Sequence, residues 1–274
     1  PNLFIVGTRK TGTTSLYHYL KEHPDVVMSA TKEPHYFSKN LPYHIHLYRT
    51  EEEYLNLFKK VTTEKIIGEA STSYLDNENI PSLISDFQPN SKIIVILRDP
   101  VELIYSMHFE FAFRGRVLED FEEELAMQKK GESIINYIEL IRNIPSVVNK
   151  YIEVFGKEQV LIIDYEDFKK DNQTEFVNVL RFLELNEDFR PEFKKYNTSS
   201  KPIFMPIARL LNSKIIHFLG GIVHHYIPGA NSADPFSWNS QPFKRPEMPD
   251  DLRTILEKEL ENTRVELQTL LRKR

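Results

Sequence analysis

The first 21 residues contain an apolar run, a loop bounded by glycines and an amphipathic segment, in that order. Leu3–Val6 is uninterrupted apolar sequence that ends at Gly7, as expected for a buried strand of a parallel sheet. Thr13–Lys21 then places three apolar residues on one face of a helix. A strand that leads through a short loop into a helix is typical of parallel α/β sheets, so this unit restricts the fold more than any other stretch.

The rest of the chain continues the alternation of strands and helices. Short apolar runs predict four further strands, at 26–28, 65–69, 93–97 and 160–163. Helical patterns and caps predict helices at 50–60, 81–87, from 99 onward, 119–129, 133–155 with an interruption at Pro145, 174–183 and 250–271. We find no internal repeat and no linker, so residues 1–274 are expected to form a single domain.

The composition excludes several classes of protein. Lys and Arg number 35 against 40 Asp and Glu, and the net charge of -5 argues against a general polyanion binder and against a nucleic-acid partner. The absence of cysteine excludes a disulfide scaffold, a thiolate zinc site and a cysteine nucleophile. His217, His224 and His225 lack an acidic partner in a metal-ligand frame, so we predict no metal.

No apolar run approaches the roughly 20 residues that a membrane-spanning helix needs. The chain starts at Pro1 instead of methionine, and we expect that the native N-terminus is missing. A soluble domain is predicted, with a cytoplasmic location favoured. The apolar stretch 203–227 suggests a lid, a membrane-surface contact or a partner face, and ordinary core packing is the simpler alternative.

The loop after the first strand has the spacing of a phosphate-binding loop with its lysine displaced. Residues 7–14 read GTRKTGTT, and both glycines and the final threonine stand where the G-x-x-x-x-G-K-[ST] pattern has them. The lysine stands at the fourth position, as Lys10, and Thr13 occupies the seventh. Backbone amides of Thr11 to Ser15 would face an anion at the positive end of the helix. We expect an anion site with a P-loop NTPase-like three-layer α/β fold, in which helices flank a central parallel sheet; a turn that binds nothing is the alternative.

Residues 4–16, FIVGTRKTGTTSL, resemble the 5′-phosphosulfate loop of sulfotransferases that use 3′-phosphoadenosine 5′-phosphosulfate (PAPS). The resemblance implies that Lys10 contacts the bridging oxygen and the leaving phosphate. It implies donor binding by Arg9, Lys10, Thr11, Gly12, Thr13, Thr14 and Ser15.

A second anion site is predicted after the strand at 93–97. Arg98 follows the end of that strand, where open parallel sheets bind ligands, and Ser106 lies eight residues further on. The spacing resembles the 3′-phosphate motif of the same family, with Arg98 as a forked donor and Ser106 as a hydroxyl donor. Lys244 and Arg245 resemble the basic loop that touches this phosphate, although the usual glycine is absent; Lys201 is an alternative.

The acceptor side is predicted from two further stretches. Residues 32–37, KEPHYF, resemble a segment of the heparan-sulfate-type enzymes and their bacterial relatives. The resemblance implies that Glu33 is the base, with His35 as the alternative because its ordinary pKa lies nearer neutrality. Lys32 is expected to face the sulfuryl group. Residues 68–75, GEASTSYL, resemble the border of the acceptor cleft, where Glu69 is expected to orient Lys32 or substrate hydroxyls.

Together these motifs predict transfer of a sulfuryl group from PAPS to an acceptor hydroxyl on a glycan, a lipid or a small molecule. The predicted reaction is an in-line displacement that needs no metal and releases adenosine 3′,5′-bisphosphate (PAP). Glu33 removes the acceptor proton, Lys10 stabilises the leaving oxygen and Ser106 holds Lys10 until the acceptor arrives. Two alternatives remain: a P-loop small-molecule kinase, which needs a lysine at Thr13 and Mg-ATP, and a non-catalytic module that binds nucleotides or sulfated glycans.

Overall fold

The computed structural model shows an α/β protein built on a parallel sheet. The structure describes residues 1–38, 50–113, 115–133, 135–194, 196, 200–204 and 240–272. The strands are β1 (Leu3–Gly7), β2 (Val26–Met28), β3 (Ile66–Ala70), β4 (Lys92–Leu97) and β5 (Val160–Asp164), together with β6 (Ser200–Pro202) and β7 (Ser240–Pro242). The first five form one sheet, and β6 and β7 form an antiparallel ribbon.

The sheet order is β2-β3-β1-β4-β5, with all neighbours parallel. Gly7 pairs with Ile96, and Leu97 pairs with Asp164, so β1, β4 and β5 end close to the same level. The chain adds β2 and β3 on one side of β1, and then β4 and β5 on the other. Ligands of open α/β sheets bind beyond the carboxyl ends of strands where the order reverses in this way.

The helices that connect the strands agree in most places with the sequence pattern. They are α1 (Thr13–Lys21), α2 (Glu51–Leu55), α3 (Ile80–Phe87), α4 (Pro100–Phe113), α5 (Phe121–Lys130), α6 (Tyr137–Arg142), α7 (Ile144–Phe155), α8 (Tyr165–Lys170), α9 (Asn172–Phe182), α10 (Asp250–Glu259) and α11 (Glu261–Arg272). The predicted capping box of α2 is present: Glu53 N donates to Thr50 Oγ1, and Thr50 N donates to the Glu53 carboxylate. None of the helices in the described part of the chain has the length and apolar composition that crossing a bilayer requires.

The interruption predicted at Pro145 is confirmed. Helix α6 ends at Arg142 and α7 begins at Ile144, with Pro145 in the first turn of α7, where a missing amide costs nothing. The helix predicted over 250–271 is divided at Leu260 into α10 and α11. No helix was predicted over α8; the Asp164 side chain caps it by accepting a hydrogen bond from the Glu166 amide at 2.8 Å.

The chain contains two compact units. The first comprises Pro1–Leu103, Leu140–Asn197 and Leu260–Arg274, and it holds the parallel sheet. Its core includes Leu3 and Ile5 of β1, packed with apolar residues of α1 and α9. Helices α7 and α11 pack against each other and against β5. The second unit, Ile104–Glu139 and Thr198–Glu259, contains α5, α10 and the ribbon β6-β7.

Candidate active site

The loop between β1 and α1 requires both of its glycines. Gly12 has φ 81°, a left-handed conformation that side chains rarely adopt. A Cβ at Gly7 would lie 2.8 Å from Thr13 Cγ2, closer than such atoms approach. The buried Thr11 hydroxyl donates to the Thr8 carbonyl at 2.6 Å and closes the loop on itself. The glycine spacing seen in the sequence therefore has a steric cause at each end.

The geometry of this loop suits an anion such as a phosphate. Helix α1 begins at Thr13 behind Gly12, so no side chain caps its first amides, and its first turn has no acidic residue. Uncapped amides and the positive helix end attract a negative charge. The Thr8 hydroxyl is buried and has no hydrogen-bond partner among the described residues. Thr13 is buried, while Thr14 and Ser15 are partly exposed.

Lys10 and Arg98 join the loop to the end of β4. Lys10 has φ 62°, and its carbonyl accepts a hydrogen bond from the Arg98 guanidinium at 3.3 Å. A left-handed residue that is not glycine is strained, and such strain concentrates at functional sites. The side chains of Arg9 and Lys10 are both partly exposed. The loop that should hold one end of a donor is thus tied to the arginine predicted to hold the other.

Arg98 is nearly buried and is held from several sides. Its guanidinium lies 4.8 Å from the centre of the Tyr165 ring, at the start of α8. It also lies 3.6 Å from the Glu102 carboxylate and 3.9 Å from that of Glu166. Neighbouring Asp99 pairs with Arg264 instead, at 2.8 Å. Arg98 is therefore oriented at the carboxyl end of β4, and its contact with the Tyr165 ring was not predicted from the sequence.

Lys32, Glu33 and His35 follow β2 and form a second charged group. Lys32 Nζ hydrogen-bonds Glu33 Oε1, and His35 Nε2 lies 3.6 Å from Glu33 Oε2. Glu33 Oε2 also accepts from the amide of Thr72 at 2.8 Å and from its hydroxyl at 3.1 Å. His35 Nδ1 lies 2.7 Å from Ser73 Oγ. Glu33 and His35 contact Thr72 and Ser73 because β2 and β3 are neighbours in the sheet and the loops after them touch.

The partners of Glu33 keep it ionised. Burial by itself raises the pKa of Glu33, but the Lys32 ammonium, His35 and the hydrogen bonds from Lys32 and Thr72 outweigh it and lower that pKa to about 2. A carboxylate with so low a pKa is a weak base. The structure thus pairs Lys32 with Glu33, where the sequence led us to expect that Lys32 faces the sulfuryl group.

Glu69, expected from the sequence to orient Lys32 or substrate hydroxyls, hydrogen-bonds hydroxyl groups of the protein. It is fully buried, and its carboxylate accepts hydrogen bonds from the hydroxyl groups of Tyr54, Tyr74 and Ser71. The three hydroxyl side chains that follow β3 in the motif at 68–75 contact Glu33 and His35.

The remaining predicted residues lie in the second unit. Ser106 is buried in α4, two turns into the helix. The Arg245 guanidinium lies 5.2 Å from the centre of the Tyr105 ring, and Lys244 is exposed. Lys201, the alternative cation, lies 5.8 Å from the centre of the Phe243 ring. The roles of these residues stay predictions from the sequence.

Several predicted features fall outside the described residues. These are His217, His224, His225 and all of the apolar stretch 203–227 except Ile203 and Phe204, which are exposed. Within the described ranges, no three His, Asp or Glu side chains cluster in a way that would hold a metal ion.

Comparison with known proteins places this chain in a family. Residues 1–206 match the model of the sulfotransferase domain. A crystal structure of a sulfotransferase from Alicyclobacillus acidocaldarius aligns with a TM-score of 0.64 at 29% identity, covering 85% of this chain and 98% of that chain. The architecture is therefore that of a P-loop-like α/β transferase domain. The chain belongs to the sulfotransferase domain family, which confirms the predicted fold class and resemblance and makes this a PAPS-dependent sulfotransferase domain.

Two human relatives show the kinds of protein in which similar domains occur. Carbohydrate sulfotransferase 15 of Homo sapiens is 30% identical over 246 residues, which cover 68% of this chain and 44% of the relative. Bifunctional heparan sulfate N-deacetylase/N-sulfotransferase 3 of Homo sapiens is 28% identical over 202 residues, which cover 67% of this chain and 22% of the relative. The chain thus spans less than half the length of these curated relatives.

Proposed function

We propose that this protein transfers the sulfuryl group of PAPS to a hydroxyl group of a carbohydrate by in-line displacement. The observation that carries the proposal is that the uncapped phosphate-type loop with Lys10, the Arg98 that hydrogen-bonds it, and the Lys32–Glu33 pair all follow the carboxyl ends of strands of one sheet. PAPS supplies the sulfuryl group and the leaving phosphate. Everything else in the reaction falls to side chains and amides of this chain.

The donor end of the reaction is assigned to the loop. The amides at the start of α1, which no N-cap side chain satisfies, and the positive helix end hold a phosphate, and the Lys10 ammonium neutralises the charge that develops on the leaving oxygen. Thr13 and Thr14 support this oxygen. The fixed geometry, secured by Gly7 and Gly12, means that little reorganisation is needed as the charge appears.

Removal of the acceptor proton is assigned to Glu33, and Lys32 is its partner, which changes its contacts when the donor binds. Glu33 takes the proton of the attacking hydroxyl, the acceptor oxygen bonds to sulfur, and the bond from sulfur to the leaving phosphate oxygen breaks. In the free protein, Lys32 keeps the pKa of Glu33 low. We propose that Lys32 turns to the sulfuryl oxygens when the donor is bound, which raises the pKa of Glu33 and makes it a better base.

The choice of a carbohydrate acceptor rests on the relatives. Carbohydrate sulfotransferase 15 and a heparan sulfate N-sulfotransferase are named for action on carbohydrates. A hydroxyl acceptor suits Glu33, because an alcohol must lose its proton during attack and a carboxylate stands at the site. A lipid or small-molecule hydroxyl is the competing class.

The direct experiment is incubation of the protein with sulfur-labelled PAPS and a panel of acceptors. Desulfated glycosaminoglycan oligosaccharides represent carbohydrates, and long-chain alcohols and phenols represent the other classes. We expect label in the oligosaccharides; label only in alcohols or phenols would contradict the carbohydrate assignment. Label in none, together with tight PAP binding, would favour the non-catalytic module, and stabilisation by Mg-ATP but not PAP in a thermal shift assay would favour the kinase.

We predict that Arg98→Ala removes the preference of the protein for PAP over AMP. The two ligands differ by the 3′-phosphate, and a guanidinium fork is worth about 1.5–3 kcal/mol toward a charged group, so PAP affinity should fall about tenfold to a hundredfold. Isothermal titration calorimetry with PAP and AMP measures this. Arg181→Ala, which removes an exposed arginine paired with Glu187, should leave both affinities unchanged. Equal affinities of the wild type for PAP and AMP would contradict the donor assignment altogether.

We predict that Lys32→Met moves the acid limb of the pH profile of kcat/KM upward. Lys32 favours the ionised form of Glu33, so its removal leaves burial to raise the pKa from about 2 toward or above the ordinary value of about 4.3. Rates measured between pH 3 and pH 7 give the limb. Lys150→Met, which breaks the surface pair with Glu153, serves as the control. An unmoved limb in Lys32→Met would show that Glu33 is not the titrating base.

A further inference from the structure

A buried carboxylate beside the site has no role in the reaction as described. Glu69 of β3 is fully buried and accepts from Tyr54 Oη at 2.5 Å, from Tyr74 Oη at 2.8 Å and from Ser71 Oγ at 2.7 Å. Burial raises the pKa of Glu69 to about 7, although the three hydroxyl groups oppose the rise. A buried carboxylate is costly to a fold unless its surroundings compensate for it, so its retention calls for a reason.

The hydroxyl groups that satisfy Glu69 continue to the backbone of the acceptor segment, residues 32–38. Ser71 Oγ donates to Glu69 and accepts from the amide of His35 at 3.2 Å. Tyr74 Oη donates to Glu69 and accepts from the amide of Phe37 at 3.4 Å. When it is ionised, the Glu69 carboxylate can only accept, so it directs both hydroxyl hydrogens toward itself and leaves their lone pairs for these amides.

The acceptor segment needs such support because its backbone is strained. Glu33 has φ 60° and His35 has φ 53°, both in the left-handed region. Two non-glycine residues in this region, two positions apart, together cost on the order of 2 kcal/mol or more and persist only when neighbouring groups hold them. The Glu33 amide donates to the Ala70 carbonyl at 2.9 Å, and the hydroxyl relays of Glu69 hold the rest.

We propose that Glu69 is a positioning residue that holds the strained acceptor segment through Ser71 and Tyr74, and so places Glu33 and His35 for proton transfer. The inference rests on the proposed function of Glu33. It assigns the buried tyrosine and serine hydroxyls a role in the reaction rate beyond their contribution to stability.

The test removes each of the two hydroxyl groups that link Glu69 to the acceptor segment, and compares the effect with that of removing a buried hydroxyl group that makes no such link. Ser71→Ala removes the link to His35, and Tyr74→Phe removes the link to Phe37. Tyr151→Phe is the control, since its buried hydroxyl donates to the Tyr74 carbonyl at 3.0 Å and, among the described residues, makes no hydrogen bond to Glu69 or to the acceptor segment. We expect kcat, measured with labelled PAPS and the desulfated oligosaccharides, to fall about tenfold in both relay variants. PAP affinity should stay within twofold of the wild type, and Tyr151→Phe should keep its kcat while losing a similar amount of thermal stability.

A second readout does not depend on the acceptor. The ring signals of His35, followed by histidine-selective NMR and assigned with His35→Ala, should change in chemical shift in Ser71→Ala, because the backbone that positions the ring loses a hydrogen bond, and should not change in Tyr151→Phe. Wild-type kcat and unchanged His35 signals in Ser71→Ala would overturn the positioning role, as would equal losses of kcat in Tyr151→Phe. Failure of the wild type to bind PAP or transfer label would instead contradict the proposed function, and the NMR comparison would still decide the role of Glu69.

Discussion

Replacement of Lys10 by alanine is expected to abolish turnover while binding of PAP remains measurable. The amides at the start of α1 and the Arg98 guanidinium still hold the two phosphates, so the ground state loses only one contact. The charge on the leaving oxygen appears only during the reaction, and its stabilisation is lost. Removal of one such donor typically lowers kcat about a hundredfold to a thousandfold, and the loss of a full positive charge should reach at least the upper figure.

Single-turnover transfer from labelled PAPS and calorimetry with PAP measure the two effects of Lys10→Ala separately. Lys21→Ala is the matched control, since this lysine is exposed at the other end of α1. Turnover of Lys10→Ala at the wild-type rate would show that the displaced lysine has no part in the reaction. A complete loss of PAP binding would indicate that Lys10 shapes the loop itself.

Glu33→Gln is expected to lower kcat by about a hundredfold to ten-thousandfold, the usual contribution of a general base. Glutamine keeps an oxygen for the Thr72 amide and hydroxyl, so the loop after β3 should stay in place and PAP affinity should not change. His35→Ala should cost much less, because His35 lies beside Glu33 and is proposed only to support it. Rates at several pH values in both variants make the comparison.

The opposite ranking of these two variants would make His35 the base. Glu64→Gln serves as a control for Glu33→Gln, because backbone amides of Thr62 and Thr63 also lower the pKa of that carboxylate, outside the site. Its kcat should equal that of the wild type. A similar loss in Glu64→Gln would mean that the effect of Glu33→Gln is not specific to the reaction.

The local sequence predicted the early elements closely, and its errors have local causes. Helix α1 and strand β2 begin and end where the pattern places them, because apolar runs and glycines act over a few residues. The interruption expected at Pro145 within 133–155 is confirmed, because a proline fits the first turn of a helix and so begins α7. The division of the last helix into α10 and α11 was not predicted, because the leucine spacing continues across Leu260.

Candidate residues were easier to find than their partners. The loop, Arg98 and the 32–35 segment stood out in the sequence because each follows an apolar strand. The stacking of Tyr165 on Arg98 and the contact of Ser73 with His35 did not, since each joins loops that follow different strands. Such contacts depend on which strands are neighbours in the sheet, and that order is not written in any short stretch of sequence.

The sequence by itself determined the phosphate-type loop, because glycine spacing and an uncapped helix start are properties of adjacent residues. It also placed the chemical groups at strand ends. Only the tertiary structure decided how those groups are charged and held. The order β2-β3-β1 brings the loops after β2 and β3 together, so Lys32 and Thr72 lower the pKa of Glu33. The buried carboxylate of Glu69 is held by hydrogen bonds from three hydroxyl groups.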